Sequence, residues 1–542
     1  MIKRLESSRL LRWLFAVLAG CLMVVSFPET GSIVPLTFIS WVPLLLLDYV
    51  YHEGKKSWGL FFQAYLTFFI YNIGTTWWIY NASAGGAYMA FFANSLLMAI
   101  AFIIFHKLKR KLGKKWLLMV FLTTWISFEF IHFHWELSWP WLTFGNVFAS
   151  TPALVQWYSV TGVLGGSIWI LTINALIAMI IIKGVHKSFW KSKRVRFVGL
   201  LLLLPMLFSF MLYFTKSTTG KPYEVVIVQP NIDPYNTKFS TSNEVQLEEI
   251  MQLADQKVTK KTQLVIAPET ALYPNPSTYS DLVVEDELVQ KVFYHKIMER
   301  KARWHGASFL IGASTYRFFN EKNSPASNFN EYSGMYEENY NSSVLFNEYR
   351  IPSIIHKSKL VLGVEKIPFI HSLPFLEEFA IEMGGGSGTL GIETEPKVMQ
   401  TKGVTFSPVV CYESIYGGFM AQQARKDAEF IAIITNDGWW GNTPGYRQHF
   451  QFAALRAIEN NKWVVRSANT GTSGIINNRG EIIHSTKWWV KDAFAATIQL
   501  NNRKTIYNYL GDFLGYFAIA GFVTFLGMRF IKGLHLKKSA SN

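Results

Sequence analysis

Three short apolar runs in the second half of the chain each end on a residue able to move a proton or carry an acyl group. Val265-Ile266-Ala267-Pro268-Glu269-Thr270 stops at a proline and delivers a carboxylate. Ile355-His356-Lys357-Ser358-Lys359-Leu360-Val361 delivers a lysine, with Glu365 eight residues beyond Lys357. Phe406-Ser407-Pro408-Val409-Val410-Cys411-Tyr412-Glu413 delivers a cysteine followed by an acid. A thiol is a useful nucleophile when a base can take its proton and the oxyanion formed on attack is stabilised. A neighbouring cation also favours the thiolate. Glu269 as base, a lysine as cationic stabiliser and Cys411 as nucleophile make up that set. Each residue has a plainer reading: a small buried hydrophobe for Cys411, a helix-start acid for Glu269, surface carboxylates for Glu365 and Glu413. The spacing to Glu365 favours Lys357 and leaves Lys359 as its rival.

The elements that must position these residues read as a layered α/β domain. β-rich runs fall at 224–229, 264–267, 308–312, 343–347, 404–411, 430–435 and 463–468. Helical periodicity fills 243–258, 284–303 and 446–460, and such alternation argues a sheet with helices packed on it. The polar stretch 319–342 and the glycine-rich 382–388 read as loops. Gly384-Gly385-Gly386-Ser387-Gly388 lacks the Gly-Lys-Ser/Thr ending of a phosphate-binding loop, so it is expected to be a lid or linker.

The rest of the chain belongs to a different solvent. Of 542 residues, 50% are hydrophobic and 16% charged, which excludes a disordered chain and argues against an ordinary soluble enzyme. Apolar runs near 10–27, 32–49, 58–80, 87–105, 116–133, 161–182, 197–215 and 509–531 are long enough to predict eight membrane spans. Two tails and three alternate connections hold 22 basic residues against Glu6 and Glu53, while 28–31, 81–86 and 134–160 hold no Lys or Arg. By the positive-inside rule both termini are cytoplasmic and 216–508 lies outside. The formal charge of +15 is therefore a topology signal, and the remaining 30 basic against 35 acidic residues leave no case for nucleic acid. Cys21 and Cys411 are too few for a disulfide framework or cysteine-rich metal site. Leu18-Ala19-Gly20-Cys21 imitates a lipoprotein cleavage site, but the apolar run continues through Val24 and Val25. Trp135, Trp139, Trp141 and Trp157 read as interfacial anchors, and Glu129 and His132 as interfacial or functional groups.

The ordered Glu, Lys and Cys strand ends, with Val228-Gln229-Pro230-Asn231-Ile232 before them and Thr435-Asn436-Asp437-Gly438-Trp439-Trp440-Gly441 after, resemble the nitrilase superfamily. Gln448-His449-Phe450, Arg456-Ala457 and Arg466-Ser467-Ala468-Asn469-Thr470-Gly471 extend the likeness. With seven spans before the domain and one after, the whole chain is similar to the apolipoprotein N-acyltransferase family. Around the lysine that family runs Lys, two residues, Leu-Val-Pro-Phe-Gly-Glu; here the spacing from Lys357 to Glu365 is kept while proline and glycine are moved or lost. Phe239 stands where the family often has tryptophan.

The resemblance implies a polytopic α-helical membrane protein with an inserted nitrilase-like α-β-β-α sandwich: 1–215 membrane, 220–500 catalytic, 507–542 closing helix and tail. It implies Glu269, Lys357 and Cys411 as catalytic residues, with Glu365, Tyr412, Glu413, Asn436, Trp439 and Phe239 supporting or positioning substrate. The acyl donor would be a membrane phospholipid and the acceptor the α-amine of a diacylglyceryl-cysteine apolipoprotein. No cofactor, metal or nucleic acid is expected, and the enzyme would act as a monomer in a bacterial inner membrane. The alternative is a membrane-tethered amidohydrolase with the same triad and water as acceptor.

Overall fold

The computed structural model describes residues 1–51, 57–184, 192–238, 240–273, 282–331, 333–369 and 389–541, with side chains as far as 532. Phe239 and the glycine-rich 382–388 lie outside the described residues. The chain divides into two compact units, one of Met1–Trp77, Ala87–Thr215 and Leu510–Asn542, the other of Trp78–Gly86 and Lys216–Tyr509.

The first unit is helical. Among the described residues five helices, Arg9–Ser26, Ala84–Leu112, Tyr158–Lys183, Lys193–Thr215 and Phe513–Lys532, are long and apolar enough to cross a membrane. Three of the eight expected spans differ. The run 32–49 breaks into a 3-10 turn, Val34–Phe38, and a short helix, Val42–Val50, each with a proline in its first turn. A proline has no N–H to give and its ring bars the preceding turn, so each starts a new element. Nine helical residues rise only about 14 Å, half of a bilayer core of about 30 Å. The run 116–133 yields Leu117–Ile131, 15 residues. The run 58–80 yields Trp58–Thr76, a helix that buries Gln63, Thr67, Asn72, Thr75 and Thr76 inside the unit. Thr67 Oγ1 donates to the Ala16 carbonyl at 2.8 Å, and Asn94 Nδ2 to Asn72 Oδ1 at 2.8 Å. Polar residues on this helix therefore bind its neighbours.

Two aromatic expectations also change. Trp141 is 1% exposed and stacks on Trp139 at 5.9 Å, and Trp157 is buried against Trp169, so both are interior packing and not surface anchors. Glu129 is buried and accepts from Trp125 Nε1 at 3.2 Å and from the Phe144 N–H at 3.0 Å, bracing the loop 140–150.

The second unit has two sheets. The strands are β1 (Lys221–Gln229), β2 (Thr262–Ile266), β3 (Val283–Val284), β4 (Ser308–Phe319), β5 (Asn328–Asn330), β6 (Met335–Phe346) and β7 (Ser353–His356). They continue as β8 (Met399–Thr401), β9 (Val404–Val410), β10 (Phe430–Thr435), β11 (Trp463–Ala468), β12 (Gly474–Ile476), β13 (Ile482–Ser485) and β14 (Asp492–Leu500). The first sheet runs β14-β1-β2-β4-β6-β5, with β3 on β4 and β7 on β6; the second runs β13-β12-β11-β10-β9-β8. Alternate residues of a strand face opposite sides. Thus Val225 and Ile227 join Phe406, Phe430, Ile434 and Val465 in a core shared by the two sheets. Val226 and Val228 turn the other way onto the helices Asn243–Asp255 and Val292–Arg303. The helices Gly417–Arg425 and Pro444–Asn460 belong with the second sheet, giving helix, sheet, sheet, helix.

The expected loop 319–342 is in part strand, holding the end of β4, all of β5 and the first half of β6. β4 extends to Phe319 and β6 starts at Met335, paired from Phe309↔Phe346 out to Phe319↔Tyr336. Glu337, Glu338, Asn339 and Asn341 deprive the strand of the apolar alternation by which it could be read.

Candidate functional site

Parallel strands β1, β2 and β4 of one sheet, and β9, β10 and β11 of the other, aim their carboxyl ends toward one region. Glu269 follows β2 through Ala267-Pro268, Cys411 is the residue after β9, Asn436 the residue after β10, and Lys357 the residue after β7. Backbone geometry at two of these points is unusual: Cys411 has φ +52° and Thr270 +46°, the left-handed region that L-residues avoid. At Gly312 on β4 a Cβ would lie 2.5 Å from the Glu269 Cα, so only glycine lets the acidic turn settle there.

Glu269 Oε1 accepts from Asn341 Nδ2 at 2.7 Å and from Lys357 Nζ at 3.2 Å; Oε2 accepts from the Asn436 N–H at 2.9 Å. Lys357 Nζ also donates to Glu365 Oε1 at 2.8 Å, and Asn341 Nδ2 to that same oxygen at 2.8 Å. The remaining Glu365 oxygen takes the Val361 N–H at 2.8 Å. Asn341 therefore spans both carboxylates and also anchors the lysine, whose own N–H donates to the Asn341 carbonyl at 2.7 Å. Lys357 is 1% exposed. Burial works against its ammonium, but the Glu365 and Glu269 carboxylates outweigh it and hold the group above the usual lysine range. Burial works against the Glu269 carboxylate too, and Lys357, Asn341 and Lys238 together keep it below its ordinary value.

Lys359 is placed differently. Its Nζ lies over the Tyr416 ring, 5.4 Å from the centroid, and burial lowers its pKa. The structure therefore brings Lys357, and not Lys359, into contact with Glu269.

Cys411 is buried; desolvation first and Glu269 second push its thiol upward, with Lys357 opposing. Its carbonyl accepts from Ser414 Oγ at 2.8 Å and lies 3.2 Å from His449 Nε2. Tyr412 is buried with its ring edge-on to Tyr416 at 5.5 Å. Glu413 turns back into the protein: Oε2 accepts the Val410 N–H at 2.8 Å, and Oε1 accepts those of Ser358 at 2.6 Å and Lys359 at 3.2 Å. Burial still raises its pKa to about 7 against these donors.

Glu269, Lys357, Cys411, Glu365, Asn436 and Trp439 line one cavity of about 160 Å³. Sequence reasoning missed six neighbours. Asn341 is the bridge described above. Lys238 is buried, lines the cavity and donates to Thr270 Oγ1. Tyr235 donates its hydroxyl to the Trp439 carbonyl at 2.5 Å and to the Asn81 carbonyl at 3.2 Å. Asn81 Nδ2 in turn donates to the Trp440 carbonyl at 2.9 Å, and Trp78 lies 4.8 Å from Trp440, ring to ring. Ala82 of the same segment completes the cavity wall.

Cys411, Asp437 and His449 offer donor atoms within 4.8 Å of one another, the geometry of a metal site. Two of the three residues are already committed: Arg466 Nη2 is 2.6 Å from Asp437 and 2.9 Å from His449 Nδ1, and His449 Nε2 meets Ser414 Oγ at 2.8 Å. A guanidinium on two of the three donors makes the cluster an ion-paired brace.

Residues 19–176 match the model of the apolipoprotein N-acyltransferase N-terminal domain, and residues 224–507 that of carbon-nitrogen hydrolase. The chain is 28% identical over 508 residues to the apolipoprotein N-acyltransferase of Chlorobaculum tepidum, covering 91% of each. It is 26% identical to apolipoprotein N-acyltransferase 1 of Treponema denticola, over 93% of this chain and 94% of that one. Among solved structures, Saccharomyces cerevisiae Nit3 of the nitrilase superfamily aligns with 54% of this chain and 95% of its own at 15% identity, TM-score 0.34.

Proposed function

From the premise that this chain belongs to the carbon-nitrogen hydrolase family, we propose that it is an apolipoprotein N-acyltransferase that carries the acyl group on Cys411. The observation that supports the mechanism most strongly is the Glu269 carboxylate 3.2 Å from the Lys357 ammonium, on the cavity that Cys411 also lines.

Glu269 takes the Cys411 proton, and the thiolate attacks the carbonyl carbon of a phospholipid acyl ester. The tetrahedral oxyanion is held by Lys357 Nζ and the Tyr412 N–H. Its collapse breaks the carbon–oxygen bond; the lysophospholipid alkoxide takes the proton back from Glu269 and leaves a thioester on Cys411. The α-amine of a diacylglyceryl-cysteine then attacks the thioester and loses its proton to Glu269. Collapse breaks the carbon–sulfur bond, forms the amide and returns the proton to the thiol. This is a ping-pong cycle with one covalent intermediate.

In this reading the apolar helices span a bacterial inner membrane with both termini cytoplasmic, as the 22 basic residues of the tails and connections direct. The catalytic unit stands on the outer side, where both lipid substrates are anchored. Drawing their chains into water would cost about 0.8 kcal/mol per CH₂.

Purified protein incubated with phospholipid should yield an acyl adduct on the Cys411 peptide by mass spectrometry, released by a diacylglyceryl lipopeptide amine as N-acyl product. An adduct that persists unchanged in Cys411→Ala overturns the mechanism. Release by water with no transfer to the amine overturns the acyltransferase in favour of a hydrolase.

A further inference from the structure

Lys238 is a buried ammonium for which the scheme above has no task. It follows β1 in a turn where its N–H donates to the Asp233 carbonyl at 3.0 Å and its carbonyl accepts from Gln246 Nε2 at 2.8 Å. Held at both ends of its peptide, the side chain is 4% exposed and its Nζ donates to the hydroxyl of Thr270, the residue after Glu269. An ammonium has three donors. One is given to Thr270, and the group lines the cavity shared by Glu269, Lys357 and Cys411.

The charges of this cavity do not balance without it. Lys357 is shared between Glu269 and Glu365, one positive charge against two negative. Removing the Cys411 proton outright would add a third negative charge in a buried place; passing it to Glu269 keeps the total but moves the charge onto sulfur. The other charged groups nearby are engaged elsewhere: Glu413 by backbone N–H groups, Asp437 by Arg466 and His449, and Lys359 over Tyr416. Burial lowers the Lys238 pKa to about 8, while Glu269 and Cys411 favour its charged form.

We infer that Lys238 is a positioning residue for the nucleophile, its ammonium supplying the second positive charge that lets Cys411 stand as a thiolate beside Glu269 and Glu365. The inference rests on the assignment of Cys411 as nucleophile. Lys238 keeps its own protons throughout; the thiol proton passes to Glu269.

The test is the rate of Cys411 alkylation by iodoacetamide against pH, read on the Cys411 peptide of the full-length protein by mass spectrometry. In Lys238→Met the midpoint should rise by about one pH unit or more, a tenfold loss of reactivity at pH below it, while Lys238→Arg should stay within about threefold of the wild type. Thr270→Val removes the hydroxyl that aims Nζ but keeps every charge, and should shift the midpoint in the same direction by less; it serves if the methionine variant does not fold. Profiles of Lys238→Met, or failing that of Thr270→Val, superimposable on the wild type overturn the inference. So does lost acylation by phospholipid with unchanged alkylation, since the lysine would then be binding the donor. Failure of the wild type to form an acyl adduct would sink the acyltransferase reading and leave this comparison of thiol reactivity standing.

Discussion

Glu413 Oε1 accepts the N–H of Ser358 at 2.6 Å, so the carboxylate two residues after Cys411 fixes the backbone one residue after Lys357. Through it the Cys411 turn and the Lys357 turn are one piece. Glu413→Ala leaves the buried Val410 N–H and the half-buried Ser358 and Lys359 N–H groups without this acceptor, and the buried orphan alone costs about 1–3 kcal/mol. The expected result is a lower melting temperature and roughly a hundredfold slower formation of acyl-Cys411, measured together on the full chain. A variant with normal acylation would show that the tie is dispensable.

Lys357 and Lys359 separate cleanly by substitution. Lys357→Ala removes an oxyanion donor and should slow acylation by about 10²–10³ or more. Lys359→Ala removes a cation lying on Tyr416 and should change it by no more than a few fold. Acylation by peptide mass spectrometry decides the matter, and survival in the first variant with loss in the second would reverse the assignment.

In the proposed mechanism Glu269 sets the acid limb. Its folded pKa lies below the ordinary value of 4.5, so its contribution to stability is present above that value and lost as pH falls through the folded pKa. Acylation should accordingly persist to pH below about 4.5 before it fails. Asn341→Leu deletes a bond that favours the carboxylate and should move the limb upward. A limb at the same pH in both proteins would count against the role of Asn341.

The Tyr235 hydroxyl ties the Trp439 carbonyl to that of Asn81. Tyr235→Phe and Asn81→Ala loosen the wall without touching the reacting groups. Acylation by phospholipid should fall several fold while the iodoacetamide reactivity of Cys411 holds. Equal losses in both assays would mean that the contacts support the nucleophile itself.

Asp437→Asn leaves the Arg466 guanidinium, fully buried, facing a neutral amide. Breaking one side of a buried pair costs about 3–5 kcal/mol. Thermal unfolding should show a loss of stability of that size, and a melt within a degree or two of the wild type would contradict the bracing role.

The residues legible in the sequence were those at ends of apolar strands. Glu269 and Cys411 each close a run whose β character is local, and Lys357 could be placed by its distance from Glu365. Asn341 was hidden because β6 runs out past the core and carries polar residues on both faces. Lys238 and Asn81 had no local signal, since their partners lie 32 and 359 residues away. Hydropathy left the build of two of the apolar runs hidden for a related reason. It registers how apolar 32–49 and 58–80 are, but not that prolines divide the first or that the polar side of the second turns inward.

The short run Trp78–Gly86, drawn from the middle of the helical half, bears on how this enzyme can be taken apart. A fragment expressed as 216–509 would carry every ionisable group of the cavity, yet lack Trp78 against Trp440, Asn81 on its carbonyl and Ala82 in the wall. Such an excised piece would keep the ionisable groups and be a poor catalyst. The economical repair is to splice those nine residues back as a tether, because autonomy here is a property of two stretches of gene and not of one.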